Sequence, residues 1–350
     1  MLWIRGVTLL ASAAIAMATF LTPAATTYGM RDPFTPCDGV VRPTSATQVS
    51  EHDFCSLAVR NIGRLRAGQA ALVTGAVVVD DSNNAPRIDQ RAFLNVQLRC
   101  FLADRPDRAV FGTDAVRNVY TGIPRTTISP RAVLLVRTTG DYTCVLDARQ
   151  YNVAANVPDR TWRMDAPQIK SQTAPHGVST AGPNHDKWPL TRDDVVPQDG
   201  PVSAARLDFE PSRGVRRVQI DTSVPLSTCA YHSPDTDACW PAADPAPLLN
   251  PGQPFVAMVQ LRAEQHERGS RGDSCGTPLD VHTRIEVTSV THHLTVELGG
   301  TLRLDSRCSG PVTVDSVVSA VAGRGYIGTA GPARGEAGKA FQDDIGAFWG

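Results

Sequence analysis

The stretch FLNVQLRCFL, residues 93–102, shows the residue alternation that decides the fold. Apolar residues occupy every second position from Leu94 to Leu102, and polar residues such as Arg99 lie between them. Successive side chains of a strand point to opposite faces, so this period of two predicts a β-strand with one buried face. Residues 142–146 repeat the pattern. The first half of the chain is therefore predicted to consist mainly of strands.

Strand patterns extend through the rest of the sequence. Residues 70–80 and 131–136 are apolar on both faces, which is typical of central strands in a packed sandwich. Alternation resumes in the second half, where Gly299 and Gly300 are predicted to form a hairpin turn between two strands. The best helix signal is residues 51–66, EHDFCSLAVRNIGRLR, whose apolar residues fall close to helical spacing.

The two halves of the chain echo each other. The tetrapeptide VQLR occurs at residues 96–99 and again at residues 259–262, and a strand cysteine follows each copy, Cys144 in the first half and Cys308 in the second. A duplicated β-domain would account for the echo, and chance would account equally well for a four-residue match. The length suits two ordinary domains or one large one.

The predicted fold is all-β, with two disulfide-stapled β-sandwich domains, immunoglobulin-like or jelly-roll-like, after a cleaved signal peptide. A Pro-rich linker is expected because prolines punctuate a polar stretch without sustained periodicity, and a long loop wrapped over one domain is the alternative. The predicted segments are a signal peptide at 1–25, the first sandwich at 31–157, the linker at 158–205, the second sandwich at 206–322 and a Gly-rich flexible tail at 323–350.

The N-terminus has the features of a secretory signal peptide. Arg5 precedes an alanine-rich apolar run at residues 7–21, and small residues surround an expected cut near Ala24. A transmembrane helix is the alternative, but the run is shorter than the roughly 20 apolar residues that a bilayer requires. We therefore expect a secreted, extracellular protein with no membrane span in its mature form.

Charge and glycine patterns narrow the classes of partner. The chain has 34 basic and 35 acidic residues and no long basic run, which disfavours nucleic acid and membrane surfaces as partners. No phosphate-cradling glycine motif and no dinucleotide fingerprint is present in the sequence. We therefore expect no cofactor and no nucleic-acid partner.

All eight cysteines lie after the expected cut, and an even number in an exported chain predicts four disulfides. A zinc site is the competing interpretation, but the sequence has no Cys-x-x-Cys pair and no Cys/His spacing typical of structural zinc. Closeness in sequence and shared strand phase predict pairing within each half: Cys37 with Cys55, Cys100 with Cys144, Cys229 with Cys239, and Cys275 with Cys308.

Residues 138–144, TTGDYTC, place Tyr142 two positions before Cys144. This resembles the tyrosine corner and second cysteine of an immunoglobulin-like strand F, in which the tyrosine hydroxyl reaches back to the backbone. No tryptophan follows Cys100 at the strand C distance, so the resemblance is one of architecture. With its segment 131–151, RAVLLVRTTGDYTCVLDARQY, the chain is also similar to secreted actinobacterial β-domain proteins of unknown function. This resemblance covers mainly residues 93–152 and implies no activity or catalytic residue.

Residues 272–279, GDSCGTPL, are close to the GDSGGPL that surrounds the serine of trypsin-like proteases. A serine nucleophile needs a base, a group to orient that base, and amide donors for the oxyanion. The nearest upstream His/Cys segment, residues 227–232, has these residues in reversed order, and Cys275 directly follows Ser274. We therefore predict that Ser274 is not catalytic.

Histidines and glutamates on neighbouring predicted strands raise the question of a metal site. Alternation places two of them, His282 and Glu286, on one polar face, whereas His292 falls in phase with apolar residues. Surface or cross-strand polar residues are the better interpretation, so no metal site is predicted. The residues considered are His282, His292, His293, Glu286 and Glu297.

Long connections are the expected location of function. Residues 104–130, 160–205 and 230–252 exceed the length of a turn, and recognition often resides in long loops on a rigid scaffold. Trp240 is the candidate binding residue because a bridge at Cys239 would hold its ring in place. The expected function is non-catalytic binding of a cell-wall polymer, glycan or protein. An extracellular hydrolase with a scattered site and a structural envelope component or inhibitor are the alternatives.

Overall fold

The computed structural model describes residues 36–37, 40–41, 43–44, 55–152, 162–174, 177–181, 187–189, 201–228, 254–269, 273–288, 291, 293–323, 325–328 and 345–349. Strands are the regular elements of these ranges, which confirms the predicted all-β class. Within the same ranges, no helix is long and apolar enough to cross a membrane. Residues 1–25, 229–253 and 329–344, and with them Trp240, lie outside the described part of the chain.

Strands of the first half enclose one hydrophobic core, to which the inward positions of residues 93–102 contribute as predicted. Its longest strands are the antiparallel neighbours β5 and β6. The strands are β1 Val40–Val41, β2 Pro43–Thr44, β3 Cys55–Leu65, β4 Ala70–Val79, β5 Arg87–Leu102, β6 Arg105–Thr121, β7 Thr126–Ile128, β8 Arg131–Leu135, β9 Gly140–Asn152 and β10 Trp162–Ala174.

Strands of the second half enclose a second core. Phe255, Leu261 and Leu302 are among its fully buried side chains. The strands are β11 Gly177–Ala181, β12 Lys187–Pro189, β13 Val202–Phe209, β14 Arg217–Thr228, β15 Phe255–His266, β16 Ser274–Val287, β17 His293–Arg303, β18 Val312–Ala322, β19 Gly325–Gly328 and β20 Ile345–Trp349.

A large sheet runs through both halves in the order β11-β20-β14-β17-β6-β5-β9-β2, with β3 paired to β9. In the first half it is accompanied by a sheet of order β1-β10-β4-β7, in which β8 also pairs with β4. In the second half it is accompanied by a sheet of order β13-β18-β15-β16. Each half is thus sandwich-like, and the two halves meet where β17 pairs with β6 at Leu294 and Arg117.

Three of the predicted disulfides are confirmed: Cys37–Cys55, Cys100–Cys144 and Cys275–Cys308. Cys229 and Cys239 lie outside the described residues, so their pairing stays a prediction. The tyrosine-corner geometry is present, because the Tyr142 hydroxyl donates a hydrogen bond to the Thr138 carbonyl at 2.5 Å. Burial raises the pKa of the Tyr142 hydroxyl. Each of these three disulfides lies within one half of the chain.

The helix predicted at residues 51–66 is wrong, because residues 55–65 form strand β3. Its pairing with β9 has register shifts between Ser56 and Ala58 and between Asn61 and Gly63. An irregularity of this kind adds a residue on one strand and interrupts the alternation of faces. The apolar residues therefore recur at intervals that imitate a helix.

Two predicted connections are also wrong in part. Strand β10 lies within the predicted linker and pairs with β4, and its register shift between Asp165 and Gln168 brackets Pro167. Proline is tolerated in a sheet at such an irregularity, so the prolines there did not indicate a linker. Strand β6 occupies most of the predicted loop at 104–130, where Arg117 interrupts the apolar pattern.

The glycine-rich regions also contain strands. Strands β19 and β20 lie within the predicted flexible tail, and all five residues of β20 are buried. Gly299 and Gly300 do not form a hairpin turn, because β17 continues through both. A Cβ at Gly300 would lie within 3 Å of the Leu279 side chain. Glycine at position 300 therefore allows close packing of the Leu279 side chain and does not form a turn.

Candidate functional site

The two halves of the protein meet at a region that we call the junction, formed by β6, β7 and β8 of the first half and β14, β17 and β20 of the second. The Val116 amide on β6 donates a hydrogen bond to Thr295 Oγ1 on β17 at 2.9 Å. Alternation along β17 directs Leu294, Val296 and Leu298 into the second core. Thr295 and Glu297 therefore face away from that core, toward the first half.

One side of the junction is apolar. Phe348 of β20 packs in a cluster with Ala70 and Val133 of the first half, and Leu72 lies against this cluster. Phe348 is 3% exposed. Its neighbour Trp349 faces the second core and stacks on Phe209, with ring centroids 5.0 Å apart. The last strand thus contributes one aromatic side chain to each side of the sheet, which holds the halves together.

The other side of the junction is charged. Arg131 of β8 contacts two carboxylates of the second half, Asp221 through Nη2 at 3.0 Å and Glu297 through Nε at 3.3 Å. We call these three residues the junction cluster. A Cβ at Gly299 would collide with the Asp221 carboxylate and the Arg131 guanidinium. Glycine at position 299 therefore permits the close approach of Arg131 to the sheet.

The junction cluster has two carboxylates for one guanidinium. Burial raises the pKa of Glu297 to about 8, an effect that Arg131 opposes and the nearby Asp221 charge reinforces. Burial likewise raises the pKa of Asp221, again opposed by Arg131. Glu297 therefore keeps its proton at neutral pH, while Asp221 is the natural partner of the Arg131 charge. Glu297 Oε1 and Asp221 Oδ2 are buried without a hydrogen-bond partner.

Arg117 of β6 lines a cavity together with Glu297 of this cluster. Burial lowers the pKa of Arg117, but a guanidinium remains protonated in proteins. Its Nε is buried and lacks a hydrogen-bond partner. Among the residues that the structure describes, no carboxylate lies within ion-pair distance of Arg117. A buried cation without a counter-charge is costly, so this side chain has capacity for an anionic partner.

A cavity of about 220 Å³ lies between β6, β7 and β17. Thr127, which is exposed, places part of its wall at the surface. The wall is apolar at Ala115, Val116, Ile128 and Leu294. The polar lining residues are Arg117, Thr127, Ser129, Thr295 and Glu297. The cavity therefore combines a cation that has no ion-pair partner among the described residues, a carboxyl group and hydroxyl groups in a space large enough for a small ring.

Ser274 lies at the first position of β16, opposite His266 in the ladder with β15. His266 Nε2 is 3.0 Å from Thr313 Oγ1, and that hydroxyl donates to Asp208 Oδ1 at 2.7 Å. His266 is thus engaged with Thr313, and Cys275 is engaged in a disulfide with Cys308. The prediction that Ser274 is not catalytic is compatible with these contacts and stays a prediction.

The histidines and glutamates of the sequence are not gathered around a metal position within the described ranges. His282 is 61% exposed and lies 3.7 Å from Asp280, whereas Glu297 is at the junction. No three potential metal ligands come together among the described residues. His292 and the side chain of His293 lie outside the described part of the chain.

The junction residues were not recognised as a site from the sequence. Arg117, Arg131, Asp221 and Glu297 are far apart in the chain, so no local motif connects them. The available signal was a charged residue within an apolar strand, as in LTVEL at residues 294–298. No protein-family model and no curated protein matches the chain.

Proposed function

We propose that the protein is a secreted, non-catalytic binding protein and that its ligand enters the junction cavity. The observation that carries this proposal is the cavity wall, which includes Arg117, with a buried Nε that has no hydrogen-bond partner, and Glu297, whose Oε1 is likewise buried without one. The ligand belongs to an extracellular polymer, glycan or protein. The N-terminal signal-peptide pattern and the disulfides support an extracellular location.

Energetics favour a ligand at this position. Buried polar groups in proteins nearly always have partners, and those that do not call for a specific explanation. A ligand that supplies an acceptor to Arg117 Nε and a polar atom to Glu297 Oε1 would give both atoms the hydrogen-bond partner that they lack. Because the wall combines strands of both halves, ligand contacts would also bridge the halves.

The cavity volume limits how much of a ligand is enclosed. Sites for drug-sized molecules measure about 300–1,000 Å³, and the junction cavity measures about 220 Å³. A protein or polymer ligand would therefore insert a single group and leave the remainder outside. Trp240 remains a candidate for additional contact through the segment 230–252, whose structure lies outside the described ranges.

A hydrolase is the second candidate function. A carboxyl group that keeps its proton at neutral pH has the property required of a general acid, and Glu297, with its pKa raised to about 8, lines the cavity. A hydrolase would also need a nucleophile or an activated water beside it. Turnover of an ester, peptide or glycoside that is abolished by Glu297→Gln would favour the hydrolase over the binding protein.

The binding proposal is tested by screening the purified protein against cell-wall fractions, glycan arrays and extracellular proteins. We expect every true ligand to lose affinity with Arg117→Met and Thr295→Val and to keep it with Arg284→Met, a control at an exposed strand position. Trp240→Ala tests the loop contribution separately. Ligands that are insensitive to both cavity variants, or the absence of any ligand, would contradict the proposal.

A further inference from the structure

We infer that the junction cavity binds the uronic-acid unit of an acidic glycan, with the sugar carboxylate paired to Arg117. This inference rests on the proposed function and specifies its ligand class. It combines three properties of the site: the size of the cavity, the hydroxyl groups of its wall and the unpaired charge of Arg117. Each property excludes some ligands that the others would permit.

Size selects a single ring. A cavity of roughly 150 Å³ accommodates benzene, and the junction cavity of about 220 Å³ leaves room for ring substituents. A six-membered sugar ring with its hydroxyl groups and one carboxylate is of this size class. A longer stretch of polymer would extend past Thr127, where the wall reaches the surface.

The wall provides hydroxyl groups at three positions, Thr127, Ser129 and Thr295. Thr295 Oγ1 already accepts a hydrogen bond from the Val116 amide at 2.9 Å. Its own proton is therefore directed to an acceptor other than that amide, and a sugar oxygen is a suitable one. Ile128 and Leu294 are among the apolar residues that also line the cavity. This mixture of hydroxyls and aliphatic groups favours a sugar over a peptide side chain.

Charge selects an acidic sugar. Asp221 lies 3.0 Å from Arg131 Nη2, and Glu297 lies 3.3 Å from Arg131 Nε, so Arg131 is the cation that both acidic groups of the junction cluster contact. Arg117 has no such partner within the described residues. A ligand carboxylate matches the planar fork of a guanidinium and forms shorter, stronger hydrogen bonds than a neutral group. A neutral sugar would leave Arg117 without its counter-charge.

The test compares two probes by titration calorimetry at pH 7: a glucuronate-containing oligosaccharide and its carboxyl-reduced, neutral counterpart. We expect the wild-type protein to bind the acidic probe at least about tenfold more tightly, the change that follows loss of a charged hydrogen bond. Arg117→Met should remove this preference. Thr295→Val should weaken both probes similarly, and Arg284→Met should change neither.

Arg117→Lys provides a second variant if Arg117→Met does not fold, since it keeps the charge and removes the guanidinium fork. It should retain a preference for the acidic probe with reduced affinity. Equal affinity of the wild-type protein for both probes, with loss in Thr295→Val, would overturn the inference and leave the proposed function standing. Binding of a short peptide through its free carboxylate, without binding of either oligosaccharide, would also overturn it. Binding that no cavity variant alters would overturn both.

Discussion

Two buried charged clusters in this protein differ in how completely their polar atoms are paired. In the first half, Asp147 accepts hydrogen bonds from Arg99 Nε at 2.6 Å and from Ser56 Oγ at 2.8 Å. Arg99 Nη2 also contacts the same carboxylate at 2.6 Å. At the junction, by contrast, one guanidinium serves two carboxylates, and Arg117 has no ion-pair partner among the described residues.

The contrast separates a structural cluster from a candidate site. Both oxygens of Asp147 have partners within the chain, so that cluster has no capacity left for a ligand. The junction has unpaired buried atoms on Arg117 and Glu297 beside a cavity. Natural proteins pair nearly all buried polar groups, and exceptions concentrate where function requires them.

The largest expected effect is the loss of the paired cluster. Asp147→Ala removes the carboxylate that Arg99 contacts, in a site where Asp147 is 1% exposed. Breaking a buried pair in this way costs about 3–5 kcal/mol of stability. Denaturant unfolding measures the change, and ligand affinity should be unaltered. Asp165→Ala, which breaks an ion pair with the largely exposed Arg163, is the control and should cost less than about 1 kcal/mol. Similar losses in both variants would remove the contrast between buried and exposed pairs.

Removing the apolar side of the junction should have a similar or slightly smaller effect. Phe348→Ala deletes a buried ring between Ala70 and Val133, and large-to-small changes of this kind cost about 3–5 kcal/mol. The control is Val321→Ala, because Val321 is 49% exposed. We also expect ligand affinity to fall, because the same contact positions β8 and Arg131. An unchanged free energy of unfolding for Phe348→Ala would show that β20 does not stabilise the contact between the halves.

The unequal charge of the junction cluster predicts a pH dependence of stability. Because burial raises the pKa of Glu297 from 4.5 to about 8, the folded state holds one more proton than the unfolded chain between these values. Stability therefore decreases as pH rises through this window, by up to about 1.4 kcal/mol per pH unit. Glu297→Gln should flatten the profile and be more stable than the wild type above pH 8. Parallel profiles for the two proteins would contradict the assigned burial of Glu297.

Much of the framework was predictable because it depends on local pattern. Alternation identified β5, and phase and proximity identified three disulfides, including Cys100–Cys144. Errors arose where the strands are irregular. Register shifts gave β3 an apparent helical period, and Pro167 lies at the register shift in β10. Glycine at position 299 is required by the approach of Arg131, which comes from a distant part of the chain. In the sequence alone, this glycine and Gly300 look like a turn.

The site could not be predicted in the same way. Arg117 and Leu294 become neighbours only when the halves meet along the large sheet. The number of residues between them in the sequence gives no indication that they meet in the folded protein. From the sequence, Glu297 is a candidate metal ligand only, because its partner Arg131 belongs to the other half of the chain. Charged residues within apolar strands would have indicated buried polar positions, without indicating which positions meet.

The smallest expected effect concerns Ser274, which belongs to neither cluster. We expect Ser274→Ala to leave stability within about 0.5 kcal/mol, as surface substitutions usually do, and to leave ligand binding unchanged. A fluorophosphonate probe should not label the wild-type protein at this position. Stoichiometric labelling that disappears in Ser274→Ala would show that Ser274 is a nucleophile and would make the hydrolase the better account.

The contrast between the two clusters can be measured directly in one experiment, a ¹⁵N–¹H NMR spectrum of the arginine Nε–H groups. Arg99→Lys and Arg117→Lys assign the two signals, and the glucuronate-containing oligosaccharide is then added. We predict that the Arg117 signal shifts on binding, because its Nε lacks a partner in the free protein, and that the Arg99 signal does not move, because its Nε already donates to Asp147. A shift of Arg99 with Arg117 unmoved, or binding that alters neither signal, would contradict the assignment of the junction as the binding site.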